Sequence, residues 1–154
     1  MDQLSSDRII AIERACHRLT LQYGLYLDTY RDDALAALFT DDAVWERPGQ
    51  ASLQGAEAIR NFLVSRDRVL MFHVLSNFLL EHASEQEARG VSCFTAYRDD
   101  NGKPGEIAAS RAPFSAGRYH DRFRMTRDGW RICHRITEHV FTPGALAVPQ
   151  WPVP

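Results

Sequence analysis

Apolar residues in the first thirty positions recur at alternating steps of three and four. Ile9, Ile12, Cys16, Leu19, Tyr23, Tyr26 and Tyr30 fall on one stripe, which predicts an amphipathic helix over residues 7–30. Ser5 and Ser6 supply N-cap oxygens, and Asp7 suits the positive end of the helix dipole. A short second helix is predicted at 32–39, a short strand at 43–46 and a turn at Pro48-Gly49. A third helix spans 55–68, with Ala58, Ile59, Phe62 and Leu63 on its apolar face. After residue 70 the period falls to two. Segments 72–82, 87–98, 112–126 and 130–141 read as strands, and Asp128-Gly129 before Trp130 marks a tight hairpin. Pro143, Pro149, Pro152 and Pro154 keep the tail out of any central strand.

Helices followed by a run of antiparallel strands make an α+β domain. We expect a strongly curved, mainly antiparallel sheet with three helices on its concave face. Such a sheet leaves one apolar pocket at its open end, where a ligand would sit. The domain is expected over residues 1–141, with a Pro-rich tail at 142–154.

The 154 residues suit one domain with a core of its own. A net charge of -2 provides no field to attract nucleic acid or an anionic membrane. Cys16, Cys93 and Cys133 are odd in number and widely spaced, unlike a disulfide framework or a zinc site. The N-terminal stretch lacks an apolar signal core, and no apolar run nears the roughly 20 residues that cross a bilayer. A cytoplasmic protein is expected. His134 and His139, five apart, point to opposite faces of a strand, so no metal site is expected there. Arg118, His120, Arg122 and Arg124 form a basic stripe, read as a solvated or subunit-facing sheet surface.

Several segments in order resemble the SnoaL-like (NTF2-like) superfamily. They are Tyr23 with Asp28, Leu38 to Glu46, Gly55 to Arg60, His73 to Asn77, Gly117 to Asp121, and Asp128 to Ile132 with Arg135. The resemblance implies a cone-shaped fold. Within the superfamily the pattern is most similar to the aspartate–histidine lyases, scytalone dehydratase and hexachlorocyclohexane dehydrochlorinase. Asp28 and His73 stand where those enzymes carry their paired residues. Two departures accompany this. Segment 87–98 lacks the second pocket histidine of scytalone dehydratase, and Tyr23 stands where the dehydrochlorinase has a lysine.

On that resemblance His73 is the candidate general base and Asp28 its orienting carboxylate. Tyr23 and Arg135 would hydrogen-bond a leaving group or a developing enolate. Tyr26, Trp45, Phe72, Asn77 and Tyr119 would shape the substrate pocket. His73, Leu75, Asn77 and Leu79 share one strand face by alternation, taken as the inner one. The helix wheel sets Asp28 about 140° from Tyr23, so its inward direction rests on the resemblance. Plainer readings stand beside these. His73 could be a packed strand residue, Asp28 a solvated carboxylate, and Tyr26 ordinary helix core. Arg135 could lie on the outer face, or on the inner face with a carboxylate or substrate as partner.

The expected activity is a cofactor-independent lyase, or a related isomerase or cyclase, acting on a small hydrophobic cyclic molecule. The alternative is a non-catalytic ligand-binding or oligomer-forming module, such as a dioxygenase small subunit. No cofactor, metal, nucleic acid or membrane partner is expected. A homodimer or homotrimer is, and the tail would cover a neighbour's surface or the pocket mouth.

Overall fold

The structure is a computed structural model and describes residues 4–143. Helix α1 runs Ser6–Asp28, its N-terminus capped by the Ser5 side chain, which accepts from the Arg8 amide. Then come α2 (Asp32–Ala36), β1 (Phe39–Glu46), β2 (Leu53–Gln54), α3 (Ala56–Ser65), β3 (Leu70–Ala83), β4 (Glu87–Asp99), β5 (Ser115–Thr126) and β6 (Gly129–Phe141). The six strands form one open sheet in the order β2-β1-β6-β5-β4-β3. Strands β3 to β6 are an antiparallel meander, while β1 lies parallel to β6. That single parallel contact brings the helical first third of the chain against the last strand.

The α1 stripe packs on the concave face, burying Ile12, Cys16, Leu19, Tyr23 and Leu27. Burial pushes the Cys16 thiol up to about 12, so it stays an inert apolar filler. Gly24 sets how closely the helix approaches β3. A Cβ there would collide with the Leu75 side chain and come within 3.9 Å of the His73 Cβ.

The strands depart from the predicted pattern in three places. Phe39 belongs to β1 rather than to the second helix, because it registers against Ile132 of β6, and β1 therefore starts four residues before the expected 43. Strand β2 is only two residues long, too short to show a period, and exists through its pairing with Val44 and Trp45. Strand β3 carries a bulge between Ser76 and Leu79, where Asn77 takes a φ of 51°. The extra residue inverts the alternation beyond it. Met71, His73 and Leu75 point inward before the bulge, Phe78 and Leu80 after it. The tail beyond residue 143 lies outside the described residues, and so does the expectation that it covers a surface. Among the described residues no helix is long and apolar enough to cross a membrane.

Candidate functional site

Asp28 is the last residue of α1, whose final turn carries no basic residue. A carboxylate there faces the negative end of the helix dipole and needs compensation. The residues just beyond α3 provide it. Arg66 donates from Nη2 to the Leu27 carbonyl at 2.9 Å and to Asp32 at 3.2 Å, and Arg68 reaches the other Asp32 oxygen at 2.7 Å. Both guanidinium groups lie over the Tyr30 ring, at 4.4 and 4.5 Å. Tyr30 adopts a φ of 54°, and its hydroxyl bonds the Val69 backbone at 2.7 Å. This cluster ties the turn after α1 to the start of β3.

With the helix end anchored, Asp28 meets His73 twice. One carboxylate oxygen accepts from the His73 amide at 2.6 Å, and the other lies 2.5 Å from Nδ1. The two side chains are only 10% and 12% exposed. An ionised carboxylate can only accept, so the imidazole hydrogen sits on Nδ1 and Nε2 keeps a lone pair. Strand β3 presents that imidazole to a cavity of about 580 Å³.

Rows of registered residues build the sheet wall of the cavity. His73 pairs with Ala96, and Ala96 with Ser115. The next row is Leu75, Phe94, Gly117 and His139, and the following one joins Ser92, Tyr119 and Thr137. Gly117 is required here, because a Cβ would strike the Glu138 carbonyl where β5 and β6 shift register. Tyr23 from α1 and Phe62 from α3 close the cavity together with Trp45 of β1. Tyr119 stacks on Phe94 with centroids 4.7 Å apart, and Tyr23 meets Tyr119 edge-on at 5.4 Å. The Trp45 indole donates to the Thr137 hydroxyl at 3.0 Å. Burial pushes both phenols up, the Tyr119 hydroxyl well above its ordinary value, so at neutral pH both are hydrogen-bond donors. A larger recess of about 840 Å³ lies among α2, α3 and the β5–β6 turn. It is lined by Arg60, Arg124, Arg127, Asp41 and Asp42 and holds none of the expected site residues.

Of the expected residues, His73, Asp28, Tyr23, Trp45 and Tyr119 are thus brought together. Four are not. Arg135 is fully buried beneath the cavity wall, where Asp121, its registered neighbour, grips it through two bonds of 2.7 Å. Its guanidinium lies between the Tyr23 and Tyr119 rings, at 3.9 and 4.2 Å. Burial opposes its charge, but Asp121 outweighs that cost and leaves Arg135 more firmly protonated than usual. Its partner is therefore protein, and it supports Tyr23 and Tyr119 from behind. Phe72 alternates away from His73 and is 61% exposed on the outer face. Asn77 sits at the bulge, exposed, with its amide near Cys93. Leu79, also expected inside, is exposed for the same reason. Tyr26 is half-buried under Arg31, with the guanidinium 4.5 Å from its ring, and does not line the cavity.

Most of the other lining residues were missed, among them Arg47, Arg66 and His139. Strand parity held a signal for two of them. Arg47 is two residues beyond Trp45 and His139 two beyond Thr137, so each continues an inward-facing row. Arg66, at the end of a helix, had no such signal.

The architecture is an open-sheet α+β fold with an Asp–His pair at the wall of a cavity. The chain belongs to the SnoaL-like domain family, whose model matches residues 8–136. No curated protein matches it. Among solved structures, a protein provisionally named scytalone dehydratase from Novosphingobium aromaticivorans is 22% identical, with a TM-score of 0.75. The match covers 94% of this chain and 97% of that one. A type 2 hexachlorocyclohexane dehydrochlorinase is 17% identical, with a TM-score of 0.74 over 96% of this chain and 99% of that one. The β subunit of a provisionally named aromatic-ring-hydroxylating dioxygenase from N. aromaticivorans is also 17% identical, with a TM-score of 0.74 over 92% and 99%. These likenesses show a shared fold, the NTF2-like cone, which also occurs with a cystatin-like description.

Proposed function

We propose that this protein is a cofactor-independent lyase, or a related isomerase or cyclase, that uses His73 as general base on a small hydrophobic cyclic substrate. The observation that carries this reading is the Asp28–His73 pair at the cavity wall, with Nδ1 held by the carboxylate. Nε2 would take a proton from a carbon next to a carbonyl or leaving group. The C–H bond breaks and an N–H bond forms. The electron pair passes either to the carbonyl oxygen, giving an enolate, or into a new double bond as hydroxide or halide departs. Tyr23 and Tyr119 would donate to the oxygen or leaving group that gains charge. Dehydratase-type structural neighbours support the same reading. Three free cysteines suit a reducing cytoplasm.

Deuterium uptake tests this most directly, since elimination, isomerisation and cyclisation all begin with the same proton transfer. In heavy water, NMR should show exchange into 2-tetralone or a related cyclic ketone with the wild type. With His73→Ala the rate should fall at least a hundredfold, the scale of one positioned base. Exchange at equal rates in both proteins would end the general-base reading.

A second reading, association rather than catalysis, draws on the outer sheet face. Val74, Thr95, Ala116 and Phe141 register across four strands, and Phe72, paired with Tyr97, lies two residues before Val74 on the same face. Phe72 and Phe141 are 61% and 71% exposed. An exposed apolar strip of this kind, beside the Arg118–Arg124 stripe, supports a homodimer or homotrimer. Light scattering at micromolar concentration should give a multiple of 17.5 kDa, reduced to one chain by Phe72→Ser with Phe141→Ser. A monomeric wild type would remove this proposal.

A further inference from the structure

The general-base mechanism uses one side of the cavity. Two polar groups that it does not use lie on the same lining. Arg47, just past β1, spreads its guanidinium 4.0 Å from the Phe62 ring centroid and 5.4 Å from that of Trp45. Its Nη2 bonds the Ala51 carbonyl at 3.3 Å, while Nε and Nη1 are closed to water and have no acceptor. His139, on β6, has a buried Nδ1 that is likewise without a partner. Its ring stands edge-on to Phe94, with centroids 5.6 Å apart.

A buried donor without an acceptor costs about 1–3 kcal/mol, and more when it is charged. Among the described residues no carboxylate pairs with Arg47. The other cavity cations are engaged: Arg66 by Asp32 and the Leu27 carbonyl, Arg98 by Asp100. Asp67, on the same lining, is exposed and makes no ion pair with Arg47. The pocket therefore holds one cation, Arg47, with unpartnered donors in an aromatic setting, while Asp28 is spent on His73. Rotation about the outer bonds of the Arg47 side chain would turn its free N–H groups toward a ligand acceptor. Burial holds His139 neutral, and with its hydrogen on Nδ1 it too can donate.

We infer that the cavity selects a cyclic or aromatic carboxylic acid, its ring among Trp45, Phe94 and Tyr119 and its carboxylate on Arg47 and His139. This rests on the cavity being the substrate site of the proposed function, and it assigns an acid where that reading asked only for a hydrophobic ring. Arg47 and His139 are binding residues here, and the proton transfer still belongs to His73.

Calorimetry with 2-naphthoate and its neutral counterpart 2-naphthamide tests the inference on the intact chain. The wild type should bind the acid at least tenfold more tightly than the amide. Arg47→Met should erase that preference by weakening the acid far more than the amide, and the remaining amide binding shows the cavity intact. Arg47→Lys should restore part of it, and His139→Phe should reduce it. Equal affinity for both probes, no binding of either, or an acid preference that survives Arg47→Met would overturn the inference. Its failure is separable from that of the general-base reading. Deuterium exchange without acid preference removes only the acid assignment. Acid preference without exchange removes only the general base.

Discussion

Two carboxylate–base pairs lie on the concave side of this sheet and serve opposite ends. Asp121 and Arg135 are registered neighbours on adjacent strands, joined by two bonds and sealed at 1% and 0% side-chain exposure. Asp28 and His73 come from a helix end and an edge strand, and they border a cavity. The first base cannot release its proton, and no ligand reaches it. The second base is an imidazole that borders the cavity. Similar acid–base chemistry is thus structural where it is sealed and, on the proposed function, available for catalysis where a cavity meets it.

The comparison breaks most readily at the sealed pair. Asp121→Ala leaves a buried guanidinium uncompensated and should cost about 3–5 kcal/mol in urea unfolding, whereas Asp121→Leu with Arg135→Met should lie within about 1 kcal/mol of wild type or above it. A loss below 1 kcal/mol for Asp121→Ala would mean that the pair does not hold the wall together. At the other pair the balance should reverse. Asp28→Asn removes a charged acceptor from His73 and should cost about 1.5–3 kcal/mol of stability, with deuterium exchange falling at least a hundredfold.

Gly24→Ala sharpens the contrast by moving the helix rather than changing the pair. The new methyl strikes the Leu75 side chain, and the helix-propensity gain of about 1 kcal/mol offsets part of that clash, so a net loss of up to about 2 kcal/mol is expected. Exchange should slow as Asp28 shifts from His73, while the sealed pair, anchored within the sheet, stays intact. Exchange at the wild-type rate in a destabilised Gly24→Ala would show that the helix approach does not position the dyad.

The smallest effect concerns pH. Burial lowers His139 below its ordinary 6.5, so the unfolded chain takes up a proton there before the folded one does. Stability is therefore lost as pH falls below about 6.5, toward the folded value. His139→Phe should lessen the drop in melting temperature between pH 7.5 and 5.5 relative to wild type. An unchanged drop would show that His139 is not held neutral by burial.

Much of the fold was legible because periodicity within one element records which face meets the core. The middle of the α1 stripe, Ile12 to Tyr23, the four later strands and the Asp128-Gly129 turn reappear in the structure, while Ile9 is exposed and Tyr30 lies past the helix end. The site was legible less directly. Asp28 and His73 came from the ordered resemblance, since the helix wheel alone aimed Asp28 elsewhere. The Asn77 bulge left no trace in the alternation, so Asn77 and Leu79 were assigned to the wrong face.

Sequence by itself determined the class of fold, the helical stripe and the residue types available for acid–base chemistry, because each depends on local propensity and on burial of one face. Only the tertiary structure decided how Asp28 is aimed at His73, that Arg135 is sealed by Asp121, and that Arg47 and His139 share a cavity with His73. Those outcomes depend on strand register, on the bulge and on the Arg66–Asp32–Arg68 cluster that ends α1. Each of these is a relation between distant segments, and no local pattern encodes the distance between them.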